Sequence, residues 1–120
     1  MIEKTVYDYL QGTLDVPVFM ELPEVPSEDF PVWPECFVLI EKIAERVSDH
    51  VHTASVALQS YSTESLYKAA ELDETVRDTM DDMPGLPEIG SCRMSSNYNF
   101  TDTRTKRYRY QCVYDIVFVR

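Results

Sequence analysis

Alternation governs the last third of the chain. Tyr108, Tyr110, Cys112, Tyr114, Ile116 and Phe118 fall on one side at a period of two, and Cys92, Met94, Tyr98 and Phe100 keep the same period before them. Aromatic and β-branched residues at that spacing predict two antiparallel strands sharing a buried face. The result is a long C-terminal hairpin over residues 89–119, with its tip over residues 98–110. The tip holds Asp, Thr, Arg and Lys but no Gly, so it reads as a long solvated protrusion rather than a minimal turn. Residues 36–46 and 51–61 predict a second long hairpin, turning at Ser48-Asp49-His50, with Ala54, Val56 and Leu58 pointing inward. Both of its strands exceed the common length of about 5–6 residues.

Helical spacing appears twice. Ile2, Val6, Tyr9 and Leu10 predict a short amphipathic helix over about the first ten residues, ended by Gly12. Leu66, Ala69, Ala70, Val76, Met80 and Met83 trace a second stripe. Ser62 or Thr63 is its expected cap, Glu64 complements its dipole, and Pro84-Gly85 ends it. Val16, Val18, Met20 and Leu22 alternate as a strand that Pro17 confines to a sheet edge. Residues 23–34 contain four prolines, which forbid helix and ladder alike and leave a stiff extended arm. Loops of this length usually serve a function or are disordered. This one carries Phe30 and Trp33, expected anchors for a neighbouring subunit or, equally, a cap on the chain's own sheet.

The order of elements predicts a single α+β domain over residues 1–120: a mostly antiparallel sheet of long hairpins with two helices packed on one face. Val56, Leu58, Val76, Met80, Cys112, Tyr114, Ile116 and Phe118 are its expected core. With 120 residues, 44% hydrophobic and 27% charged, the chain suits one folded domain. It has no apolar run near the ~20 residues that span a bilayer. The first ten residues lack the basic and apolar regions of a signal peptide, so a cytoplasmic protein is expected.

Charge changes the picture more than composition does. Twenty-one acidic residues face eleven basic ones, a net charge of −10, which disfavours a nucleic-acid surface. Yet Arg104, Lys106, Arg107 and Arg109 cluster at the hairpin tip. Such a patch on an acidic body suits docking to an acidic neighbour, another copy included, or a plain solvated loop. Cys36, Cys92 and Cys112 show no C-x-x-C spacing and read as buried free thiols. His50 and His52 share a strand face, but no cluster of Cys or carboxylates completes a metal site around them. Catalytic motifs and Gly-rich phosphate loops are missing from the sequence. A protein that works by shape and contact is therefore expected, with no enzyme activity, metal or cofactor. A small α+β enzyme or ligand-binding domain, with a pocket between helix and sheet, is the rival class.

Several stretches resemble a known family. Ser60-Tyr61 leading into Leu66-Tyr67-Lys68-Ala69-Ala70-Glu71-Leu72 is one, and Tyr98-Asn99-Phe100-Thr101-Asp102 followed by Lys106-Arg107-Tyr108-Arg109-Tyr110-Gln111 is another. Together with the element order, they resemble the small tail terminator (tail completion, head-tail joining) proteins of long-tailed bacteriophages and prophages. The likeness runs along nearly the whole chain, its specific residues lying in the last half. It implies a structural virion protein that forms a six-membered ring on the last ring of the tail tube. Such a ring ends tube growth and presents the surface that joins the DNA-filled head. The implied partners are further copies of the chain, the tail tube protein and a head-tail connector protein. DNA passes through without specific binding, and no membrane is involved. The implied location is the host cytoplasm during assembly, then the head-proximal end of the virion tail. A head-side connector (head-tail adaptor) is the alternative within the same assembly. The expected subunit or partner contacts are Phe30, Trp33, Arg104, Lys106, Arg107 and Arg109.

Overall fold

A computed structural model describes the chain except for Val25, Ser27, Asp29, Phe30, Thr103, Thr105, Lys106 and Arg120. The architecture is α+β, with α1 (Ile2–Thr13), β1 (Val18–Phe19), β2 (Cys36–Ser48), β3 (Val51–Ser62), α2 (Leu66–Asp81), β4 (Ile89–Asn99) and β5 (Tyr108–Val119). The strands form one sheet in the order β1-β2-β3-β5-β4. Every pairing is antiparallel except β1 with β2. No helix among the described residues is long and apolar enough to cross a membrane.

The two periods read from the sequence meet in one core. Ile2, Val6 and Leu10 of α1 and Ala69, Leu72, Val76 and Met80 of α2 point onto the same face of the sheet. The sheet answers with Val38 and Ile40 on β2, Ala54, Val56 and Leu58 on β3, and Cys112, Tyr114, Ile116 and Phe118 on β5. All eight expected core residues are buried. Tyr9 ties the helices together by donating its hydroxyl to the Thr79 carbonyl at 2.7 Å. The β2–β3 turn is the two-residue Asp49-His50, with φ of 49° and 67°. Positive φ at both central residues is the turn whose twist matches a hairpin.

Four local expectations are corrected. The alternation over residues 16–22 yields only Val18–Phe19, and Pro17, with no N–H to give a ladder, stands just before it. The Pro17 carbonyl instead accepts from Val38 N–H at 3.0 Å. Gly12 lies inside α1, which ends at the extended Leu14. The cap of α2 is Ser65, whose hydroxyl accepts from Lys68 N–H at 3.1 Å, while Ser62 accepts from Glu64 and Ser65 N–H and shapes the approach. Finally, Cys92, Met94, Tyr98 and Phe100 do not share a face. The register shifts between Met94 and Ser96, so Met94 lies opposite Tyr114 on the helix side while Tyr98 lies opposite Gln111 on the other. A bulge of this kind inserts one residue and flips the alternation beyond it.

Among the thiols, Cys112 is buried and Cys36 and Cys92 are half-buried, all three free. Asp73 on α2 is buried, and the sequence pattern had not marked it. It accepts from Arg77 Nε at 3.0 Å and from Asn97 Nδ2 at 2.9 and 3.1 Å, tying α2 to the edge strand β4.

Candidate functional site: the arm and the hairpin tip

The sheet face away from the helices is not bare at the tip end. Phe37 and Leu39 on β2 and Tyr61 on β3 are buried there, with Phe19 and Trp33 packed against them. Alternation explains this: Phe37 and Leu39 are out of phase with Val38 and Ile40, so a strand apolar on both sides needs a cover on both. The arm supplies the second cover. Trp33 meets Phe37 and Tyr61 edge-on, with centroids 5.7 and 6.2 Å apart, and Phe37 stacks on Tyr61 at 4.6 Å. Its indole Nε1–H donates to the Pro23 carbonyl at 3.3 Å, which joins the two ends of the arm.

The tip leans onto this cluster. The guanidinium of Arg107 lies 4.1 Å above the Trp33 ring, and that of Arg109 lies 4.2 Å above Phe100. Arg109 also donates through Nε to the Phe100 carbonyl at 2.6 Å and through Nη1 to the Tyr61 hydroxyl at 2.7 Å. Asp102 accepts from Arg104 N–H at 3.0 Å, and its own N–H donates to the Arg107 carbonyl at 3.3 Å.

From Tyr61 a polar chain crosses the sheet. Its hydroxyl donates to Gln59 Oε1 at 3.0 Å, and Gln59 Nε2 donates to Gln111 Oε1 at 2.8 Å. Gln111 Nε2 then donates to the Tyr98 hydroxyl. Gln59 and Gln111 are both buried. Buried amides are costly unless bonded, and a satisfied chain of this kind fixes one arrangement of the strands. The bonding of Gln59, Tyr61 and Gln111 is not evident from periodicity. Their signal was two glutamines in mid-strand, directly opposite each other on β3 and β5.

The six expected contact residues therefore have different fates. Trp33, Arg107 and Arg109 come together on the chain's own sheet, while Arg104 is exposed at the turn. Phe30 and Lys106 lie outside the described residues.

The remaining chemistry is muted. Burial, with the charge of Asp81 adding to it, pushes the Cys92 thiol up to about 12. Burial also pushes the Cys112 thiol and the Tyr114 hydroxyl up. Such thiols are protonated near neutral pH and are poor nucleophiles. His52 stacks on Phe118 at 5.1 Å with Nδ1 3.0 Å from Glu45, whereas His50 is exposed in the turn. Among the described residues no group of three His, Cys, Asp or Glu side chains could hold a metal. A shallow groove of about 390 Å³ lies between α2 and the start of β2, lined by Val16, Glu35, Cys36, Lys68, Glu71, Leu72 and Thr75. Its Lys68 is clamped by Glu35 at 2.6 Å and by Glu64. Those hydrogen bonds, Glu35's first, raise the ammonium above the ordinary lysine range, so it stays protonated. No family model and no curated protein sequence matches the chain.

Proposed function

We propose that this chain is a structural subunit that caps the tail tube of a long-tailed bacteriophage as a ring, ends tube growth and offers the head-joining surface. The observation that carries the reading is the braced C-terminal hairpin. It is a sheet-edge hairpin of 11- and 12-residue strands, in which Arg107 lies on Trp33 and Arg109 bonds to Tyr61. A small protein that stiffens a sheet-edge hairpin is suited to repeated contact with neighbours. A ring of six copies at −10 each would carry about −60, a field that repels DNA and suits a conduit. Its partners would be its own copies, the tail tube protein and a head-tail connector, assembled in the host cytoplasm and carried in the virion tail.

The test is electron microscopy of tails made with and without the protein. Tails of uncontrolled length, without a terminal ring, are expected in its absence. Normal, capped tails that accumulate beside unjoined heads in its absence would assign the chain to the head side. Unaltered tails and heads would overturn both assignments.

A further inference from the structure

The C-terminal hairpin is the basic part of an acidic chain, although Asp73 and Asp81 of α2 lie beside β4. Residues 89–120 hold six of the eleven basic residues and two of the twenty-one acidic ones, and their hairpin forms the β4 edge. The opposite edge is β1 and the part of β2 beyond Leu39, since β1 pairs only with Val38 and Leu39. Beside and along that edge Asp15, Glu21, Glu24 and Glu41 are exposed, and none of them forms an ion pair among the described residues. Lys42 on the same edge is taken up by Glu45 at 3.2 Å and Glu3 at 3.8 Å, and Arg46 sits further along toward the turn. Each edge also carries apolar side chains in solvent: Met94, Tyr98 and Phe100 on one, Met20 and Leu22 on the other.

If either edge paired with itself, the exposed Arg93 and Arg104 of one, or Glu21 and Glu41 of the other, would meet their like. A head-to-tail pairing brings opposite charges together and covers apolar surface on both sides. From this we infer that the β4 edge of one copy, through Arg93 and Arg104, docks against the β1–β2 edge of a second copy, through Glu21 and Glu41. The inference rests on the ring reading above and names its two surfaces. Each copy offers one edge of each kind, so the contact is heterologous and repeats until a ring closes. Recognition runs through side chains rather than strand addition. Two register shifts, between Ile89 and Ser91 and between Met94 and Ser96, interrupt the ladder along β4 and blunt it as a strand template.

The test is a mixing experiment on the purified full chain, read by sedimentation velocity at low salt. One variant carries Arg93→Glu with Arg104→Glu, the other Glu21→Lys with Glu41→Lys. Alone, each variant should associate about tenfold or more weakly than the wild type, because attraction between the two edges becomes repulsion. Mixed in equal amounts they should assemble again, since each then offers the other an opposite edge. That recovery also shows that both variants are folded. If Glu21→Lys with Glu41→Lys assembles alone as well as the wild type, or the mixture does not recover, the edge pairing is wrong. A wild type that stays monomeric in solution yet forms rings on tails in micrographs would overturn the edge pairing and leave the ring reading standing. Tails without rings would remove the ring reading itself.

Discussion

Replacing Trp33 with alanine separates an arm that belongs to the fold from one that serves only as a surface for others. The half-buried indole packs on Phe37 and Tyr61 and lies under Arg107. A fully buried tryptophan truncated to alanine costs about 3–5 kcal/mol, so a half-buried one loses about 2 kcal/mol in transfer and packing. Edge-on aromatic contacts add about 0.5–1.5 kcal/mol beyond area, and an exposed cation–π contact about 0.5–1 kcal/mol. The contributions overlap, and a loss of about 3 kcal/mol is expected. For a domain of this size each kcal/mol lowers Tm by about 4 °C, so the variant should melt about 10 °C early. Arg107→Ala removes only the cation and should cost about 0.5–1 kcal/mol. In the double variant the two losses should fall short of their sum by a similar amount, the signature of direct contact. Thermal melts followed by circular dichroism at fixed pH and salt are sufficient. A Trp33→Ala protein that melts with the wild type would refute the reasoning, because the indole would then hold nothing on its own chain.

Three further outcomes are expected. Ile116→Ala, at a fully buried position opposite Ala54 and Cys92, should cost about 2–5 kcal/mol and leave a marginal domain; denaturant titration with unchanged stability would mean that the β5 face is misassigned. Asp73→Ala strands Asn97 and Arg77 beneath α2, and because Arg77 can still reach water the cost should be about 2–3 kcal/mol. Asp73→Ala with Asn97→Ala should lose clearly less than the sum of the single variants, and strict additivity would deny the bond. Hydrogen bonds from Lys68 and from His52 hold the Glu35 and Glu45 carboxyls below their ordinary 4.5. Their folded forms resist protonation, so their contribution is present above the unfolded value and fades as pH falls through the folded one. Melting temperature should therefore fall below about pH 4.5, and Glu35→Gln with Glu45→Gln should flatten that acid limb; an unchanged limb would place the acid sensitivity elsewhere.

The fold was legible where one period ran unbroken over many residues. Phe118 to Cys112 on β5 kept its phase and its burial, and Ile2, Val6 and Leu10 gave α1 directly. Legibility failed where a single residue changes phase. One inserted serine, Ser95, moves Tyr98 and Phe100 to the face opposite Met94, and a bulge leaves no mark in a simple alternation. It failed again where partners are distant in sequence. Asp73 on a helix looks like a solvated carboxylate until Asn97, twenty-four residues on, meets it. Proline content alone could not say which face of the sheet Trp33 would cover. Phe37 and Leu39 held that information, since a strand apolar on both faces needs two covers.

The structure also ranks the basic residues that the sequence grouped as one patch. Arg109 gives a ring face contact, two hydrogen bonds and a half-buried position to its own chain. Its removal would loosen Tyr61 and, through Gln59 and Gln111, the pairing of β3 with β5. Arg107 braces Trp33 and is exposed on its other side. Arg104 donates through its backbone to Asp102, and its exposed side chain extends from the turn. An arginine already desolvated and bonded has little left to gain from a partner, while an exposed one retains its whole field. The interaction energy available to a neighbour therefore rises from Arg109 to Arg107 to Arg104. A charge-reversal series along the tip should weaken assembly in that same order, while loss of monomer stability should run in the opposite one.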